Sequence, residues 1–204
     1  EIDSGTFSKP ATVTVGDSAT VTFSGTPSAI GIQADGGKVG EMVISGTVNL
    51  TGTGTDKTGI LIGNQEASTS AVFHGIVDKI DNPNSSDPTA VAIRSGGIVE
   101  VQGDGSFGIH LQSGASLNGD MVINGQVSAT TSDTTQASNS GGAVGIELGG
   151  GMKGDLLIGA TGSVIATGAG SQGVIVLGKM RGSIENLGTI NAAGTASPER
   201  KSVV

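Results

Sequence analysis

MVISGTVNL (residues 42–50) and MVINGQVSA (121–129) are one nine-residue phrase written twice, and their reading decides the fold. Apolar residues fall at alternate positions on either side of a glycine. A period of two is the signature of a strand, whose successive side chains face opposite ways. The glycine is read as a corner between two short strands, where the backbone turns sharply and φ can be positive.

Working outward, a third strand precedes the phrase, and the three recur as leading, middle and trailing segments. The leading segment reads GIQA at Gly31, GILI at Gly59, AVAI at Ala90, GIHL at Gly108, GIEL at Gly145 and GVIV at Gly173. The middle segment closes on Gly46, Gly75, Gly103, Gly125, Gly162 and Gly188, in steps of 29, 28, 22, 37 and 26 residues. VTFSG, ending at Gly25, fits the middle pattern too. The trailing segment gives TVNL, IVDK, QVSA, SVIA and TINA. A period near 28 residues belongs to solenoids. Three buried ladders are expected: Ile32, Ile60, Val91, Ile109, Ile146, Val174; Met42, Ala71, Val99, Met121, Ile158, Ile184; and Val48, Val77, Val127, Val164, Ile190. Asn186 falls at an inward position and needs a hydrogen-bond partner there.

The expected fold is therefore all-β: a parallel β-helix with three short strands per coil and glycines at the corners. At about 4.8 Å per coil, about six or seven coils make a rod roughly 30 Å long. Residues 1–27 read as an N-terminal cap or first coil, 28–194 as the solenoid, and 195–204 as a tail or truncation point. Two polar insertions, near 79–89 (KIDNPNSSDPT) and 130–142, read as projecting loops. The coil at Gly103 is short, because DGS leads almost directly into FGIHL. Glu1 at the start and SPERKSVV at the end suggest an excised or mature piece of a longer protein.

Composition supports a thin core. There are 37 Gly, four Phe, and no Trp, Tyr or Cys. The core must be aliphatic, and disulfides and thiolate metal sites are excluded. A net charge of −8 argues against nucleic acid and anionic lipid, both of which need concentrated Lys and Arg. The densest basic group is Lys179 and Arg181, then Arg200 and Lys201. No apolar run is long enough to span a bilayer.

GSIENLGTINAAG (182–194) and GIHLQSGASLNGDMVINGQV (108–127) resemble passenger domains of bacterial autotransporters, and the likeness runs from Ala29 to Gly194. The resemblance implies a right-handed parallel β-helix at the cell surface or outside the cell, part of a longer chain that ends in a membrane barrel. Family members include adhesins, self-associating stalks, proteases and esterases.

Chemistry is sparse. His110 and Glu147 occupy the same outward position in successive leading segments, a pair suited to acid–base work but without an evident nucleophile. His74 belongs to another segment and should not meet His110. Glu100 and Glu185 are expected on one sheet but too far apart for a glycosidase carboxylate pair. Asp78, Asp81, Asn82, Asn84 and Asp87 are oxygen-rich but do not match a calcium-loop template. No phosphate-loop motif occurs, and no cofactor or metal is expected. Val43, Val72 and Val122 should face outward on the middle segment, interrupted by Glu100; they read either as isolated exposed apolar residues or as a stripe that is covered by a loop or faces a partner. The functional expectation is a non-enzymatic passenger for attachment or self-association, with Val43, Val72, Val122, His110 and Glu147 as contact residues. Its partners would be a host-cell or matrix glycan or protein, or a second β-helix. The alternatives are a β-helical polysaccharide lyase or hydrolase using His110, Glu147 or Glu100, and an ice-binding face built on the Thr-x-Thr of ATVTVGDSATVTF.

Overall fold

A computed structural model describes residues 11–25, 27–34, 39–52, 54–63, 72–74, 86–131 and 141–194. Every regular element among them is a strand. The first coil holds β1 (Ala11–Val15), β2 (Thr20–Ser24) and β3 (Ile30–Ala34). The second holds β4 (Val39–Ile44), β5 (Thr47–Thr51), β6 (Thr58–Ile62) and β7 (Val72–His74). The third holds β8 (Thr89–Ile93), β9 (Ile98–Gln102), β10 (Phe107–Leu111) and β11 (Ser116–Asn118). The fourth holds β12 (Asp120–Ile123), β13 (Gln126–Thr130), β14 (Val144–Leu148) and β15 (Gly151–Lys153). The fifth holds β16 (Leu156–Ile158), β17 (Ser163–Thr167), β18 (Gln172–Val176) and β19 (Met180–Arg181), and β20 (Ile184–Asn186) and β21 (Thr189–Ala193) begin a sixth.

Strands stack only on their counterparts in neighbouring coils, always in parallel, so the chain is a parallel β-helix. The first sheet is β1-β4-β8-β12-β16-β20 and the second is β2-β5-β9-β13-β17-β21. The third is β3-β6-β10-β14-β18, and a narrow fourth sheet is β7-β11-β15-β19. The expected coil has three strands; from the second coil onward there is a fourth. SLN, GMK and MR are too short to show alternation, yet each turns one apolar residue inward, giving the column Leu117–Met152–Met180.

The leading ladder holds for Ile32, Ile60, Ile109, Ile146 and Val174, which lie one above another in the third sheet. Val91 does not belong with them: it sits between Met42 and Met121 in the first sheet. AVAI is thus a middle segment, followed by a turn two residues longer than those after β4 and β12 and equal to that after β16. Val99 correspondingly belongs to the second sheet, in the column Val21–Val48–Val99–Val127–Val164–Ile190. Ile158 pairs with Ile123, and Ile184 with Leu156, two residues away from the expected register. The true first-sheet column, at positions 13, 42, 91, 121, 156 and 184, advances by 29, 49, 30, 35 and 28 residues. The long step holds the 79–89 insertion. Gly103 marks a different corner, so the coil there is not compressed. Ala71, Val77 and most of both insertions lie outside the described residues. Residues 11–24 are first-coil strands, paired with β4 and β5.

The leading glycines have a specific reason. A Cβ on Gly31, Gly59, Gly108, Gly145 or Gly173 would meet Val48, Val99, Val127, Val164 or Ile190 at 2.5–2.6 Å. The third sheet therefore presses its backbone directly against the β-branched column of the second. Alternation also slips by one at this glycine: Phe107 and His110, three apart, both face outward and stack at a centroid distance of 4.5 Å.

Corners satisfy polar backbone in a second way. Gly119 (φ +141°) and Gly154 (φ +138°) adopt a backbone that side-chain-bearing residues rarely enter, and each is followed by Asp. Asp120, fully buried, accepts the Asp155 N–H at 2.8 Å. Asp155 in turn accepts the N–H (2.6 Å) and the hydroxyl (3.0 Å) of Ser183. Asn186, on the inward column below Ile158, accepts the Gly188 N–H at 3.1 Å.

Gly145→Val places its first carbon 2.5 Å from Val164 Cγ1 and 2.6 Å from the Gly173 carbonyl. It should destabilise by about 1–3 kcal/mol or more, read as a lower urea midpoint. Gly141→Ala, where a Cβ meets nothing within 4 Å, should leave the midpoint unchanged.

Candidate functional site

The interior is closed by aliphatic side chains, so any chemistry with an outside molecule belongs to the outward columns. On the third sheet one such column reads Gln33–Leu61–His110–Glu147–Ile175. It brings His110 and Glu147 together as expected, with Nε2 3.3 Å from Oε1. Their side chains are 19% and 17% exposed, and Phe107 stacks on the imidazole. The pair can exchange a proton with a ligand. Flanking positions supply Leu61 and Val144, which are buried, rather than a nucleophile or second acid. Among the described residues no three His, Asp or Glu side chains converge on a possible metal position. Most of the oxygen-rich loop from Asp78 lies outside the described residues.

The valine surface is corrected. Val43 and Val122 share the outward column Val43–Ala92–Val122–Leu157–Glu185 of the first sheet. Val43, Ala92 and Val122 are nevertheless buried (4%, 1% and 0% exposed), although they stand outside the central core cluster. That stretch of outer face is covered and is closed to a partner. Val72 is not in line with them: it lies in β7 of the fourth sheet, paired with Ser116. Glu100 does not interrupt the stripe either, being on the second sheet, while Glu185 is on the first. The two carboxylates thus face different ways. His74 lies in β7, on a different sheet from His110.

The second sheet presents the most regular outer face. Its three outward columns are Thr20–Thr47–Ile98–Gln126–Ser163–Thr189, Thr22–Asn49–Glu100–Ser128–Ile165–Asn191, and Ser24–Thr51–Gln102–Thr130–Thr167–Ala193. Glu100 is the one charged side chain in this array. One pair of hydroxyls, Thr130 and Thr167, bonds along a column at 3.3 Å. The Thr-x-Thr pattern of the first coil is broken at β9 by Ile98, Glu100 and Gln102, so a Thr lattice does not extend along the face.

Sequence reading passed over Lys57. It is fully buried at the corner between β5 and β6, where Nζ donates to the carbonyls of Thr51 (2.9 Å), Gly52 (2.8 Å) and Gln102 (2.7 Å). Ser106 accepts its backbone N–H at 3.1 Å. Burial holds the ammonium below its ordinary value of 10.5. The residue clamps two coils together; it faces no ligand. A lysine flanked by TGTGTD and TGILI carries no signal in sequence that distinguishes it from a solvated one.

No protein family, curated protein or solved structure matches the chain.

Lys57→Met strips three carbonyls of their donor and should cost about 1–3 kcal/mol. Because the folded-state pKa lies below the unfolded one, the unfolded chain holds more protons between the two values. Wild-type stability should therefore gain with pH across that window. Chemical denaturation at several pH values should show this contribution in the wild type and its absence in Lys57→Met.

Proposed function

We propose that this chain is a non-enzymatic β-helical scaffold of the passenger type, at the cell surface or secreted, acting through outer-face contacts in attachment or self-association. The observation that carries the reading is the outer face of the second sheet. Six strands present three columns made of hydroxyl and amide groups apart from Ile98, Ile165, Ala193 and the single charge of Glu100, on a chain whose net charge is −8. A flat polar array of this kind desolvates at less cost than a charged one and offers donors and acceptors at fixed spacing. Its partner is a glycan, a protein, or the same face of a second copy. The resemblance of 108–127 and 182–194 to autotransporter passengers points the same way.

A second reading, a carbohydrate-active enzyme, is favoured by the contact between His110 and Glu147. It requires that His110→Ala abolish turnover of a polysaccharide the wild type cleaves. Under the scaffold reading the wild type shows no turnover, and the pair contributes under about 1 kcal/mol to stability in a double-mutant cycle.

Attachment to a glycan and matrix-protein array, together with aggregation of beads coated with the chain, tests the scaffold directly. Gln126→Arg with Thr130→Arg should reduce both signals at least about tenfold by adding uncompensated charge to the face, with an unchanged melting temperature. Full attachment and aggregation by this variant, or turnover of a glycan or ester by the wild type, overturns the proposal.

A further inference from the structure

The narrow fourth sheet concentrates positive charge that the sequence disperses. Its outward columns are Asn118–Lys153–Arg181, in register, and Ser116–Gly151, with Lys179 next along the latter. The Met152 N–H bonds to the Lys179 carbonyl at 2.9 Å, which sets Lys179 beside Gly151. Gly151 has no side chain, so the register sets Lys153, Lys179 and Arg181 beside a position that is bare on the outer face. All three are exposed. None is ion-paired among the described residues. Asp155, the nearest acid along the chain, is directed to the corner, where its carboxylate is held by Ser183. Three of the chain's ten basic residues thus stand together, uncompensated, on a protein of net charge −8.

We infer that this face binds an anionic polysaccharide bearing carboxylate or sulfate groups, laid along the solenoid axis across β15 and β19. Such a polymer meets successive coils about 4.8 Å apart, a rise comparable with one sugar unit, so Lys153 on one coil and Arg181 with Lys179 on the next can engage consecutive residues. Arg181 supplies a planar fork suited to a carboxylate or sulfate, and the lysines supply adaptable point charges. Nucleic acid fits less well. Single strands require aromatic platforms, and the described residues of β11, β15 and β19 contain none. This surface is separate from the second-sheet face, so the inference does not depend on that face being adhesive.

The full chain is titrated with heparin, polygalacturonate and neutral dextran, at low and at physiological salt, using melting temperature to verify each variant's fold. Binding of heparin or polygalacturonate, but not of dextran, is expected, weakening with salt. Lys153→Gln with Arg181→Gln should lower the affinity at least about tenfold, whereas Glu100→Gln, on another sheet, should not lower it. Absence of binding to both anionic chains at low salt overturns the inference, as does undiminished binding by the double variant. Equal or tighter binding of a single-stranded oligonucleotide or of anionic vesicles also overturns it, by showing that charge alone is read.

Discussion

The close approach of the third sheet's glycine column to the branched side chains of the second sets the cross-section of the whole solenoid. Five glycines lie where a single methyl would collide with Val48, Val99, Val127, Val164 or Ile190. A core this thin has no place for large aromatics, which accounts for a chain with no Trp or Tyr. It also makes each coil depend on the next: Gly59 packs against Val99, one coil further on. Stability is therefore shared between neighbours along a one-dimensional array rather than held in a central nucleus.

A narrow core leaves the corners as the difficult places, since backbone groups there turn out of the ladders. Two devices answer this. Asp120 and Asp155 carry carboxylates from one coil to the N–H groups of the next, and Lys57 gathers three carbonyls from two coils. Both use a charged side chain where a neutral turn residue would leave a partner unfilled. The inward columns reach Ile184 and Ile190, 48% and 38% exposed, where no described strand stacks beyond them. The contrast with Ile146 and Val164, both fully buried, measures what one further coil contributes to closure.

Period-two alternation identified strands and their parallel stacking because it reports a local property of each segment. It could not assign strands to sheets, since GILI and AVAI alternate alike. The distinction lay in the glycine: the third sheet needs Gly one residue before its first inward aliphatic, and Ala90 in AVAI fails that steric test. Moving AVAI to the first sheet removes the apparent compression at Gly103 and places Val99 with Val48. The fourth sheet was illegible for a different reason, because a strand of two or three residues has no period. The site was partly legible: His110 and Glu147 meet because register alone decides it. Val43 and Val122 point outward as expected, but burial of an outer face depends on what lies over it, and alternation carries no information about that.

The lattice of outward columns limits what chemistry the surface can host. Side chains on one column in adjacent coils stand about 4.8 Å apart, and two coils double that. A retaining glycosidase needs carboxyl groups about 5–5.5 Å apart, hence two acids on one column in consecutive coils. Among the described outward columns, adjacent positions give His110 with Glu147; the stacked carboxylates Asp120 and Asp155 are taken up at the corner, where Asp120 is buried and each accepts a backbone N–H from the next coil. Lys153 with Arg181 satisfies the same adjacency with like charges, which repel each other unless an anion lies between them. Adjacency of unlike charges closes on itself, as the 3.3 Å contact of His110 and Glu147 shows; adjacency of like charges stays open to a ligand.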